Sequence, residues 1–279
     1  MSNTPDHRRA EAEPSAGTVN PPSETMDIVV LPGDGIGPEV TDEAMRVLDW
    51  FVQRRAVPLR MERRLFGAAA WAAEGTTMPE ATWEAILAAD ALLFGATGSL
   101  DQTHIPAAER RKGSLLRIRK GLDVFANLRP VKAQPALAEA SPFKARTVAG
   151  ADLIFVRELT AGMYFGTPRG VETQPDGTRR GINTHSYTEG EIARAARFAF
   201  ELARTRRGHV TSVDKANVME AGRLWRDVVS EVHAAGYSDV TLEHMLADNC
   251  ALQLGRAPTR FDVIVTDNLF GDLLSDAAG

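Results

Sequence analysis

Four short, unbroken apolar runs constrain this chain more than anything else in it: residues 28–31, "ALLFGA" at 91–96, residues 153–156 and "VIV" at 263–265. A strand with one face in water alternates apolar and polar residues, whereas a strand that is apolar throughout is covered on both faces. Between the runs lie segments with helical periodicity. Val40, Ala44, Val47, Leu48 and Phe51 trace a buried stripe on a helix that Pro38 opens, a residue suited to a first helical position. Leu224, Trp225, Val228 and Val232 trace a second. Thr77 with Glu80 and Thr188 with Glu191 read as capping boxes opening further helices, the latter running to Gly208. Leu59, Met61, Arg63 and Leu65 alternate as a strand, and "DVFANLRPV" and "HVTSVDKA" add two more. Strands alternating with amphipathic helices predict an α/β fold with a mixed, mostly parallel sheet.

At 279 residues the chain has room for two domains, and its net charge of −5 argues against a general nucleic-acid binder. Cys250 is the single cysteine, which excludes an internal disulfide and reads as a small buried hydrophobe. No apolar run reaches the roughly 18 residues a membrane span requires. Residues 1–25 are rich in Pro, Ser, Thr and charge and lack the apolar core of a signal peptide. They are expected to be a disordered tail, with Met26 as a second candidate start and a cytoplasmic location. A polar, turn-rich stretch around Pro175, Asp176 and Gly177 is either a surface loop or a protruding hairpin that pairs with another subunit.

"GDGIG" at 33–37 resembles a dinucleotide fingerprint, but Pro38 stands where the third glycine belongs and no acidic strand end follows at the right distance. A tight strand-to-helix turn lining a cleft fits it better. Arg119, Arg129 and Arg157 are candidates for gripping carboxylates in paired geometry, Arg157 above all because it ends an apolar strand. Lys215 also follows a strand, where it is either an ion-pair partner or a base, and Tyr164 is a candidate proton donor. Asp272 and Asp276 stand one helical turn apart, like charges that a cation between them would reconcile. With Asp248 they make an oxygen-only set suited to Mg²⁺ or Mn²⁺ rather than structural zinc.

Taken in order, "LPGDGIGPEV", "GSLLRIRKGLDVFANLRPVK", "VRELTAGMYFGTPRG", "TSVDKANVMEAGRLWRDVV" and "FDVIVTDNLFGDLLSD" resemble the isocitrate/isopropylmalate β-decarboxylating dehydrogenases. The resemblance runs over residues 26–276. It implies a homodimer of two-domain α/β subunits, with residues 26–124 as the cofactor-side domain and 125–279 as the substrate and dimerisation domain. An arm would occupy about 164–188. Arg119, Arg129 and Arg157 match substrate-carboxylate arginines, and Leu115 and Leu116 the pocket for an alkyl group. Tyr164 and Lys215 match the catalytic pair. Asp248, Asp272 and Asp276 match the metal ligands, Asp248 also touching substrate, with Lys215 and Asp248 reaching the site from the partner subunit. Ile36, Thr97, Gly98, Ser99 and Asn217 match positions near NAD. The implied reaction is oxidative decarboxylation of a small 2-hydroxy dicarboxylate, foremost 3-isopropylmalate in leucine biosynthesis, with isocitrate, homoisocitrate or tartrate as alternatives. Two departures stand out. "AERRKGSLL" puts Arg111 and Lys112 where the isopropylmalate members carry Glu, and Glu109 is displaced. The family pattern also continues past Gly279, so the chain is expected to be C-terminally incomplete, without much of the NAD site, and either an enzyme fragment or an inactive dimerising piece.

Overall fold

The computed structural model describes residues 24–98 and 104–279. The chain divides into two compact units, the first running to Arg117 and the second from Ile118 to Gly279. Unit 1 contains β1 (Met26–Gly33), α1 (Gly37–Arg55), β2 (Leu59–Arg63), α2 (Gly67–Glu74), α3 (Glu80–Ala88), β3 (Ala91–Ala96) and α4 (Ala107–Lys112). Its three strands form a parallel sheet ordered β2-β1-β3, with Ile28 opposite Met61 on one side and Ala91 on the other. The centre strand carries the unbroken apolar run, and Val29, Val30 and Leu31 are all buried. Gly33 ends that strand with φ +74°, and a Cβ there would stand 1.8 Å from the Ala96 carbonyl oxygen, so the turn admits only glycine.

Three readings of unit 1 are corrected. Val40, Val47 and Phe51 on α1 are exposed, Val47 by 56%, and Ala44 and Leu48 are only half-buried. The helix instead buries Gly37 and Thr41 at its first turn, so its apolar stripe lacks a partner within the described residues. Thr77 caps nothing: α3 starts after Pro79 without a side-chain cap, and the Thr77 hydroxyl donates to the Glu109 carbonyl at 2.5 Å. Leu65 lies beyond β2 and is exposed.

In unit 2 the chain passes from α5 (Leu115–Gly121) through β4 (Ala126–Lys132), α6 (Ala145–Val148), β5 (Asp152–Glu158), β6 (Gly170–Thr173) and β7 (Arg179–Ile182). It continues through α7 (Glu189–Arg204), β8 (His209–Asp214), α8 (Glu220–Gly236), β9 (Thr241–Leu246), α9 (Ala247–Arg256), β10 (Val263–Thr266) and α10 (Asn268–Ala278). Five strands form one sheet, β4-β5-β10-β8-β9, in which only β4 runs antiparallel. Val263 and Val265 point into a cluster with Phe200 of α7 and Trp225 and Val229 of α8. Ile264 between them points the other way, to Cys250 and Leu254 of α9 and Leu274 of α10. Helices thus cover both faces, which is why β10 is apolar without alternation. The Thr188–Glu191 box is formed, with Glu191 N–H donating to Thr188 Oγ1 at 3.3 Å and Thr188 N–H to Glu191 Oε2 at 2.8 Å. The helix it opens ends at Arg204, short of Gly208. Residues 170–182 form the hairpin alternative: β6 and β7 pair antiparallel around a turn in which Asp176 Oδ1 accepts from Thr178, and Val171 is 72% exposed.

Candidate active site

The parallel strands β5, β10, β8 and β9 finish on one edge of the unit 2 sheet, where ligands of open α/β sheets bind. Arg157 lies at the end of β5 opposite Thr266, Tyr164 in the turn that follows, and Asp272 and Asp276 on the helix after β10. Lys215 follows β8 and Asp248 follows β9. Arg129 arrives from β4 and Arg119 from α5.

Arg157 is buried, with 1% of its surface exposed. Its Nε and Nη2 donate to Asn268 Oδ1 at 3.0 and 2.7 Å, and its Nη1 donates to Asp272. The guanidinium also stands 5.4 Å from the centroid of the Tyr164 ring. A buried charge costs several kcal/mol unless it is paired and hydrogen-bonded, and Arg157 is both. Helix α10 passes so close that a Cβ on Gly271 would stand 2.5 Å from Arg157 Cγ.

The cation between Asp272 and Asp276 is Arg129. Its Nη1 donates to Asp276 Oδ1 at 2.6 Å and to Ser275 Oγ at 2.7 Å. Its Nη2 donates to Asp272 Oδ1 at 3.2 Å, and Asn127 Oδ1 fixes its Nε at 2.9 Å. Asp272 Oδ1 is therefore shared by two guanidiniums, while Oδ2 accepts the Tyr164 hydroxyl at 2.5 Å. Burial pushes the Asp272 carboxyl up, but the Tyr164 bond and the charges of Arg157 and Arg129 outweigh it and hold the group below the usual range. Tyr164 is raised, first by burial and then by its bond to Asp272, so it keeps its proton. Arg119 is lowered, first by burial and then by the positive charge of Arg157, which places a third guanidinium within electrostatic reach of the cluster.

Lys215 and Asp248 are held apart from this cluster. Lys215 Nζ donates to Asp248 Oδ1 across the β8–β9 end, and that bond is the main reason the Asp248 carboxyl is lowered. Among the described residues no three acids, histidines or cysteines group to hold a metal ion. Asp248 thus does not group with Asp272 and Asp276 within one chain, and its carboxylate is paired with Lys215. Cys250 is buried in the core and its thiol is pushed up to about 12 by that burial.

The remaining candidates are scattered. Ile36 follows β1 and Thr97 and Gly98 follow β3, all exposed at the strand ends of unit 1. Asp34 ties these two loops, accepting from Gly98 N–H at 3.2 Å and from Ala68 N–H at 2.7 Å. Asn217 is exposed in the loop after β8, and Leu115 and Leu116 are half-buried on α5. Ser99 lies outside the described residues. The residues that sequence reasoning passed over are Asn268, Gly271, Ser275 and Tyr187. The usable signal was Gly271: a glycine inside a helical pattern costs about 1 kcal/mol against alanine and points to a close approach.

The family model for isocitrate/isopropylmalate dehydrogenase matches residues 27–279. The chain belongs to the isocitrate/isopropylmalate dehydrogenase family. It is 52% identical over 260 residues to 3-isopropylmalate dehydrogenase 1 of Bradyrhizobium diazoefficiens, covering 93% of this chain and 69% of that protein. It is 53% identical over 255 residues to 3-isopropylmalate dehydrogenase of Symbiobacterium thermophilum, covering 91% and 69%. Among solved structures, isocitrate dehydrogenase from Methylococcus capsulatus superposes with a TM-score of 0.76 at 30% identity, covering 91% of this chain and 70% of that one. Family membership makes the α/β architecture and the oxidoreductase class firm. No helix among the described residues is long and apolar enough to cross a membrane.

Proposed function

We propose that this chain carries the chemistry of NAD-linked oxidative decarboxylation of 3-isopropylmalate to 4-methyl-2-oxopentanoate, in leucine biosynthesis. The observation that carries this reading is identity near 50% to curated 3-isopropylmalate dehydrogenases through nine-tenths of the chain, against 30% to the isocitrate dehydrogenase structure. The strand edge supports it, since Arg119, Arg129 and Arg157 converge where a dicarboxylate needs paired donors. Leu115 and Leu116 would take the alkyl group.

Asp272 and Asp276 suit a hard divalent ion by donor type, and to hold it they would exchange the Arg129 guanidinium that bridges them. Mg²⁺ or Mn²⁺ takes oxygen ligands and fills its remaining positions from substrate and water. With Asp248 from a second copy they would hold it, and when bound the ion supplies Lewis acidity at the substrate hydroxyl and carbonyl oxygens. NAD would supply the hydride acceptor for C2. Its place is supported by Ile36, Thr97 and Gly98 at the β1/β3 switch of unit 1, where, among the described residues and apart from its chain neighbours, no atom lies within 4 Å of a Cβ built on Gly98.

The chain's own residues then divide the proton work. Lys215 takes the hydroxyl proton as hydride leaves C2. The bond from C3 to its carboxylate breaks to release CO₂, and Tyr164 returns a proton to C3. The raised pKa of Tyr164 keeps that proton on the phenol until then. As the family resemblance implies, Lys215 and Asp248 would act in trans in a homodimer, a reading supported by the lack of a three-carboxylate group among the described residues of one chain.

The test uses a version extended to the full length of the relatives, of which these 279 residues span about 69%, with NAD⁺, Mn²⁺ and 3-isopropylmalate. Turnover is expected for the unmutated extended protein, with losses of about 10²–10⁴ in kcat for Lys215→Met and for Tyr164→Phe and little change in substrate affinity. Mixing the two inactive variants should restore about a quarter of the activity, since half the dimers are mixed and each holds one intact shared site. Absence of 3-isopropylmalate-dependent NADH formation refutes the substrate, and absence of complementation refutes the shared site.

A further inference from the structure

The mechanism uses Arg157 as a carboxylate grip and leaves unexplained why a guanidinium so deeply buried should point one way. Its side chain is 2% exposed, it lies near the end of β5, and its ion-pair partner is Asp272. A guanidinium carries five N–H donors in a rigid plane. Asn268 Oδ1 takes two of them, from Nε and Nη2, and Asp272 takes one from Nη1. Five less three leaves two donors, one on each terminal nitrogen. A plane is fixed when Nε and one Nη are bound to a single acceptor, because rotation about the Cδ–Nε bond would break both contacts together.

Asn268 is itself immobilised. It is fully buried, its Nδ2 donates to the Ala161 carbonyl at 3.1 Å, and its backbone N–H donates to the Tyr187 hydroxyl at 2.9 Å. These contacts assign the amide without ambiguity, since only the oxygen can accept from a guanidinium and only the nitrogen can donate to a carbonyl. Tyr187 is held in turn against Trp225, ring centroids 5.5 Å apart, and by Gly162, where a Cβ would stand 2.4 Å from its hydroxyl. The chain of contacts therefore runs from the α7–α8 core through Tyr187 and Asn268 to the Nε and Nη2 atoms of Arg157, while Asp272 takes Nη1.

We infer that Asn268 is the positioning residue of Arg157, its carboxamide oxygen locking the guanidinium plane so that one N–H on each terminal nitrogen stays available for a substrate carboxylate. The inference rests on the reading of Arg157 as a carboxylate grip, but its first test does not. An acid in place of Asn268 would still accept from the guanidinium but would lose the donation to the Ala161 carbonyl and add a second charge to a buried site, whereas an amide locks the plane at neutral cost. That is the physical reason for an amide here.

The test begins with the side-chain ¹H–¹⁵N spectrum of the native chain, the Arg157 Nε–H being assigned by its loss in Arg157→Lys. A slowly exchanging Nε–H with separate, unaveraged Nη signals is expected; averaged Nη signals in the native chain overturn the inference without any variant. In Asn268→Ala the Nε–H should exchange at least roughly tenfold faster, reflecting loss of a charge-assisted bond, and Asn268→Asp should restore protection. Unchanged exchange in a folded Asn268→Ala also overturns it. The second measurement is 3-isopropylmalate affinity by calorimetry with Mn²⁺ present. Asn268→Ala should weaken binding by roughly tenfold to a hundredfold and add nothing in an Arg157→Lys background, where no fork remains to be aligned. Full additivity in that cycle marks Asn268 as merely structural and overturns the inference. A native chain that shows a locked Arg157 yet binds no 3-isopropylmalate defeats the proposed function and leaves the positioning role standing.

Discussion

At one end of the unit 2 strand edge Asp272 is gripped by Arg157, Arg129 and Tyr164, and at the other Asp248 meets Lys215 alone. Both carboxyls are lowered by their partners. Their surroundings differ: the Asp272 side chain is 31% exposed and that of Asp248 67%, and their cations Arg157 and Lys215 are 2% and 26% exposed. A buried ionic network gives geometry at the cost of desolvation, and losing one member strands the others. An exposed pair gains little and is screened, so its partners remain free to exchange. One end of the edge is built to hold its residues still, and the other to release them.

The largest effect should come from breaking the buried end. Arg157→Leu leaves Asn268 Oδ1 and the Asp272 carboxylate without their main donor and is expected to cost about 3–5 kcal/mol in urea unfolding. A loss below about 1 kcal/mol would mean the network contributes no stability and the contrast between the two ends is one of exposure alone. Gly271→Ala is the sharper probe. On a free helix alanine would gain up to about 1 kcal/mol over glycine, but here its Cβ enters the Arg157 stem. A net loss of about 1–3 kcal/mol is expected, and a gain would show that α10 can retreat from Arg157.

Much of this was legible in the residues. The unbroken runs at β5 and β10 gave strands covered on both faces in unit 2, and that at β1 the buried centre strand of unit 1, whereas β3, equally apolar, is at most half-buried at the edge of its three-stranded sheet. The Thr188–Glu191 box gave the start of α7. The identical-looking Thr77–Glu80 spacing failed because Pro79 leaves Thr77 outside the helix turn, where its hydroxyl finds the Glu109 carbonyl instead. The α1 stripe failed for a different reason. Periodicity reports which face is apolar, not whether a partner covers it, and Val40, Val47 and Phe51 remain exposed. At the site, residue types were readable but pairings were not. Nothing local distinguishes an arginine that awaits substrate from one that bridges two acids a turn apart, and Arg129 does the latter across 147 and 143 residues of sequence. Asn268 was invisible for the same reason, its partner Arg157 lying 111 residues away.

Salt and pH separate the two ends by a smaller effect. A lowered carboxyl contributes stability that is present above its unfolded value, about 3.9 for Asp, and lost as pH falls through the folded value. Both Asp272 and Asp248 should therefore stabilise the fold at neutral pH and cease to do so in acid. Raising salt from 10 mM to 1 M shortens the screening length from about 30 Å to about 3 Å. Carboxyl titrations followed by NMR should show the Asp248 value returning toward the ordinary range in high salt while Asp272 stays depressed. Equal salt sensitivity would mean solvent reaches both ends alike.

The smallest expected effect is the most informative about function. Lys215→Met removes an ion pair whose acidic partner is mostly exposed, and the methionine retains most of the apolar stem, so unfolding free energy should change by less than about 0.5 kcal/mol. Asp248 loses its lowering partner and should titrate closer to the ordinary range. A stability loss of 2 kcal/mol or more, taking about 1 kcal/mol as the ceiling for an exposed pair, would show that Lys215 is a structural brace for the β8–β9 end. A neutral result combined with lost turnover separates holding from chemistry. Lys215 would then be retained for proton transfer at a cost the fold does not register, as Arg157 is retained at a cost it does.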